Sequence, residues 1–106
     1  MRAALRPKES DIQTAIRDHL RMTGWFVVKI HQSLGSYKGI ADLYAIKGGR
    51  SVWIEVKTPR GRQSKHQVRF QCDVEAHGGE YLLARDVDDV IKYLRLEGGS
   101  NDKNRA

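Results

Sequence analysis

Apolar positions along the chain follow two periods. From Glu9 to Thr23 they recur at helical spacing, at Ile12, Ala15, Ile16 and Leu20, and Gly24 is a fitting stop. Trp25–Ile30 (WFVVKI) is β-branched and aromatic and predicts a strand. The polar stretch His31–Gly39 reads as a loop. Ile40–Ile46 (IADLYAI) predicts a second strand with apolar residues on both faces, as a central strand requires. Gly48-Gly49 marks a tight turn, and Ser51–Lys57 (SVWIEVK) is the next strand. Thr58–Gln63 is a loop punctuated by Pro59 and Gly61. Ser64 opens a second helix, with Gln67 at capping-box spacing, and Gly78-Gly79 ends it. Tyr81–Ala84 is a short strand. Asp86 caps a last helix in which Val87, Val90, Ile91 and Leu94 form one stripe. The predicted order is αβββαβα: three strands in succession, and a fourth reached through a helix.

A chain of 106 residues makes one domain. It is expected over 9–96, with polar, charged and flexible ends at 1–8 and 97–106. No apolar run approaches the roughly 18 residues that span a bilayer, which excludes a membrane protein built on helices. Met1–Lys8 is basic and lacks the apolar stretch of a signal peptide, so a cytoplasmic location is expected. The single cysteine, Cys72, excludes an internal disulfide and a thiolate zinc cluster, and is expected to be a small core residue. His31, His66 and His77 sit at loops and helix ends, at spacings that demand no metal, and read as surface residues.

The formal net charge of +6 favours a polyanionic partner. The placement of the charge says more. Arg60, Arg62, Lys65 and Arg69 lie between Thr58 and Arg69 with no acid among them, the pattern of a phosphate-binding surface. Tyr37 and Lys38, in the loop before Gly39, either touch the backbone of such a partner or are ordinary exposed loop residues.

The acidic residues carry the chemistry. If Gly48 and Gly49 are the two loop residues of a hairpin, Lys47 faces Arg50. Counting back along both strands then sets Asp42 opposite Glu55. Directly opposed carboxylates repel and destabilise a sheet unless a cation lies between them. A hard divalent cation is the natural one. Lys57 follows Glu55 by two and so shares its face, where an ammonium can offset the carboxylates, orient a water or stabilise charge on a phosphate. Val56 points the other way, with its carbonyl still available to a metal. Glu9 lies on the apolar side of the first helix, where a carboxylate wants a partner, whereas Asp11 faces solvent.

Gly39-Ile-Ala-Asp42 followed by Glu55-Val-Lys57, with an earlier helical glutamate, resembles the PD-(D/E)XK nuclease superfamily. Within it the chain most resembles the VRR-NUC (virus-type replication-repair nuclease) domains. The supporting text is Glu9-x-x-Ile-Gln13, Gly39-x-x-Asp42, Gly49-Arg50, Glu55-Val-Lys57-x-Pro59-x-Gly61-Arg62, Ser64-x-x-Gln67 and Gly78-Gly79. The resemblance runs from about Glu9 to Leu94. The proline that often precedes the superfamily's first aspartate is replaced here by Ile40 and Ala41.

The resemblance implies an α/β, restriction-endonuclease-like core with a central mixed four-stranded sheet flanked by helices. It implies a DNA endonuclease that uses Mg²⁺ or Mn²⁺. Asp42 and Glu55 would ligate the metal, Glu9 would bind metal or its water shell, and Lys57 would be the catalytic lysine. Gln67 matches a glutamine of the helix after the Glu-x-Lys strand, a role the capping box explains as well. Stand-alone relatives of this size resemble minimal Holliday-junction resolvases of phage or bacteria, which implies branched DNA as partner and a homodimer. The alternative is a non-catalytic nucleic-acid-binding module on the same fold.

Overall fold

The computed structural model describes residues 7–32 and 37–95 of the chain. Its elements follow the predicted order: α1 (Glu9–Met22), β1 (Phe26–Lys29), β2 (Leu43–Lys47), β3 (Arg50–Val56), α2 (Lys65–Ala76) and β4 (Glu80–Ala84). A last helix, α3, is described over 87–95. The expected flexible ends, with Arg2 and Arg6, lie almost wholly outside the described residues. No described helix is long and apolar enough to cross a membrane.

The four strands lie in the order β1-β2-β3-β4. The first three form an antiparallel meander, and β4 adds parallel to β3 through α2. The hairpin register is the predicted one, Lys47 facing Arg50 and Leu43 facing Ile54. Gly48 and Gly49 take φ of 57° and 84°, which side chains with a Cβ resist.

Helices cover both faces of the sheet. On one, Ile12, Ile16 and Leu20 of α1 and Val90 of α3 bury Val27, Leu43, Ala45, Val52, Ile54 and Val56. On the other, Phe70 of α2 packs with Tyr81 and Ala41 beside Trp53. Phe70 meets Trp53 edge-on, with ring centroids 5.2 Å apart. Phe26 and Val28 on the edge strand β1 stay exposed. α3 starts as expected: the Asp86 carboxylate accepts the Asp89 N–H at 2.8 Å.

Three expectations need correction. Ala15 is exposed, and Gln13 takes its place on the buried stripe of α1. Cys72 is exposed rather than in the core. It lies two residues beyond Phe70, about 200° round the axis, and so faces away from the sheet. β2 starts at Leu43 rather than Ile40, because the chain bends at Asp42. There the carbonyl accepts the Ile30 N–H at 2.8 Å while the side chain turns to a different strand.

Candidate active site

The bend at Asp42 and the end of β3 lie side by side, because the start of one hairpin strand adjoins the end of the other. Asp42 therefore stands one step beyond the last ladder pair, Leu43 with Ile54. Its Oδ2 accepts the Val56 N–H at 2.7 Å. A donor at the end of the sheet is satisfied, and the carboxylate is fixed in place. Val56 itself is fully buried in the core.

Glu55 is only 1% exposed. Its Oε2 accepts from Gln67 Nε2 at 2.8 Å and lies 3.5 Å from Lys57 Nζ. Its Oε1 is buried with no hydrogen-bond partner. Burial above all, then the charge of Asp42, pushes the carboxyl up to about 8, against the pull of Lys57. Glu9 adds a smaller push in the same direction.

Gln67 holds two jobs that the sequence left as alternatives. Its Oε1 accepts the Ser64 N–H at 2.8 Å, completing the capping box, while its Nε2 donates to Glu55. One carboxamide thus ties the start of α2 to the buried carboxylate. The loop before Asp42 is locked to the same turn. Gly39 has φ of 81°, and a Cβ there would lie 2.2 Å from the His66 carbonyl oxygen.

Glu9 is not where the helical wheel sets it. It is the first residue of α1 and is exposed, because its side chain projects past the end of the packed stripe. Among the described residues, no group of three or more His, Cys, Asp or Glu side chains is arranged to hold a metal. Asp42 and Glu55 form a smaller donor set. It still fits a hard cation: Glu55 Oε1 is buried and unpartnered, and Mg²⁺ commonly takes one or two carboxylates and completes its shell with water and phosphate oxygens.

The basic residues lie on the segments that follow this centre along the chain. Arg60 and Arg62 are exposed in the loop that follows Lys57, and Lys65 and Arg69 are exposed on α2. Tyr37 and Lys38 are exposed beside the first turns of α2. The Tyr37 hydroxyl donates to Asp73 at 2.8 Å, and this bond holds it protonated beyond its usual range.

Two contributors escaped the sequence. Arg85 Nη1 donates to the carbonyls of Thr58, Pro59 and Gly61, at 2.6, 3.2 and 2.8 Å, and so shapes the loop carrying Arg60 and Arg62. Tyr81 is buried beneath the site, where burial first and the Glu55 charge next keep its hydroxyl protonated. An arginine after a strand and a tyrosine within one give no sequence signal of either role.

No family model matches the sequence, and no curated protein matches it. The fold does have a solved counterpart. A structure described as a "VRR_NUC domain" superposes with a TM-score of 0.72 at 21% identity, covering 82% of this chain and 94% of that one. Three helices and a mixed four-stranded sheet in the order αβββαβα form a restriction-endonuclease-like fold, and this chain shares that fold with the VRR_NUC domain structure.

Proposed function

We propose that the domain is a divalent-metal-dependent DNA endonuclease that hydrolyses phosphodiester bonds. One observation carries the reading: Glu55 keeps a buried, unpartnered oxygen beside Asp42 and Lys57, an arrangement that is costly unless a cation completes it. Asp42 and Glu55 would hold Mg²⁺ or Mn²⁺, with the Val56 carbonyl as a further donor and Glu9 toward the water shell. When bound, the ion would polarise the scissile phosphate and lower the pKa of a bound water. Gln67 keeps Glu55 in position, and Asp42 is held by the Val56 amide. The Lys57 ammonium orients the attacking water and offsets charge that builds up on the phosphate. Arg60, Arg62, Lys65 and Arg69 grip neighbouring phosphates.

The reading extends to branched DNA and to a homodimer. A domain this small carries one candidate centre, whereas a four-way junction presents two equivalent strands that a twofold dimer matches. The test is cleavage of a labelled four-way junction, a flap and a linear duplex by wild type and Glu55→Ala, with Mg²⁺, Mn²⁺ or EDTA, with sedimentation alongside. Metal-dependent cutting that disappears in the variant supports the nuclease, and preference for the junction by a dimer supports the finer reading. Salt-sensitive binding without cutting of any form would favour a binding module instead.

A further inference from the structure

Beside the candidate centre lies an open cavity of about 260 Å³ walled by Tyr37, Lys38, His66 and Arg69. It is coupled to the centre through the backbone. Gly39 packs against the His66 carbonyl, Asp42 lies three residues farther along the same loop, and Gln67 adjoins His66. We propose that this cavity receives an unpaired nucleotide of the DNA, with its base stacked on the Tyr37 ring and its phosphate met by Lys38 and Arg69. The proposal rests on the nuclease reading and narrows its substrate to DNA with an unstacked base next to the cut.

Tyr37 is built as a platform. Its hydroxyl is anchored on Asp73 at 2.8 Å, and its ring stands edge-on to Phe70 with centroids 5.4 Å apart. Yet the residue is 51% exposed. An aromatic ring fixed at two points and left open to solvent offers stacking surface with little conformational freedom to lose. Lys38 and Arg69 are exposed, and neither has an ion-pair partner among the described residues. Asp73, the nearby acid, is already engaged by the tyrosine. Stacking on an aromatic ring beside basic side chains is how single strands are bound without regard to sequence. The cavity falls below the roughly 300–1,000 Å³ of drug-sized sites, a size that suits about one base.

The test uses a short single-stranded oligonucleotide carrying a fluorescent base analogue, and a duplex of the same sequence, both in EDTA so that nothing is cut. Wild type should quench the analogue on binding. Tyr37→Ala should weaken single-strand binding about 10-fold or more and lose the quenching, with duplex binding unchanged. Tyr37→Phe, which keeps the ring, should retain both. Absence of quenching by wild type overturns the proposal, as does equal loss of single-strand and duplex binding in Tyr37→Ala. Because no cleavage is needed, the two readings fail separately: quenching by a protein that never cuts DNA removes the nuclease, whereas metal-dependent cutting without quenching removes only the cavity's role.

Discussion

Glu55 makes the metal-free protein sensitive to pH in a direction opposite to that of an ion-paired surface acid. Its carboxyl ionises near 4.5 in the unfolded chain and near 8 in the folded one. Between those values the folded protein keeps a proton that the unfolded chain has lost, so raising the pH favours unfolding. The stability tied to this proton is fully present below about pH 4.5 and is lost as pH rises through about 8. By pH 7 the loss amounts to roughly 3 kcal/mol. The side chain is 1% exposed, so solvent screening reduces this little. Against the roughly 5–15 kcal/mol of an ordinary domain, such a loss lowers Tm by on the order of 10 °C. Thermal unfolding of EDTA-treated wild type and Glu55→Gln, across pH 4.5 to 8, isolates the effect, because other groups cancel in the difference. Glu55→Gln should gain on wild type steadily as pH rises. Saturating Mg²⁺ or Mn²⁺ should flatten the wild-type profile by favouring the ionised carboxylate. Parallel profiles for the two proteins without metal would refute the reasoning.

Further outcomes follow from the geometry. Gln67→Ala removes both a cap partner and the donor to Glu55, so chemical unfolding should register a loss of about 1–2 kcal/mol. Gln67→Glu keeps an acceptor for Ser64 but sets a carboxylate against Glu55, and cleavage should fall sharply. Gly39→Ala meets both a positive φ and the His66 carbonyl, and should cost about 2–5 kcal/mol in urea unfolding. Gly48→Ala has a positive φ but nothing within 4 Å, and should cost only about 1–2 kcal/mol. Arg85→Met frees the loop after Lys57, so limited proteolysis within Thr58–Arg62 should quicken and KM for DNA should rise more than kcat falls.

The hairpin was legible because Gly48-Gly49 permits one turn and that turn sets the register of every later pair. The helix starts at Ser64 and Asp86 were legible for a similar reason: a short polar side chain followed by a helical period leaves few alternatives. Asp42 was legible as a candidate beside Glu55, but its bend was not, since the donor its carboxylate turns to, the Val56 N–H, comes from another strand. Glu9 fits the apolar stripe by angle alone, and only the place where α1 begins decides that it projects beyond the core. Cys72 is exposed because its spacing of two from Phe70 turns it away from the sheet, and its small apolar character alone pointed the other way. Gln67 had two plausible partners, and nothing in a linear sequence reveals that one carboxamide reaches both. Arg85 binds backbone carbonyls, which every residue supplies, so its partner loop has no distinctive letters.

The central claim is that Asp42, Glu55 and Lys57 carry out metal-dependent cleavage of DNA. It is tested most directly by single-turnover cleavage of a labelled four-way junction with wild type, Asp42→Asn and Lys57→Met, each in Mg²⁺ and in EDTA. Wild type should cut in Mg²⁺ and not in EDTA. Both variants should fold and lose about 100-fold or more in rate. Cutting by Asp42→Asn or Lys57→Met at the wild-type rate, or by wild type in EDTA, would contradict the account.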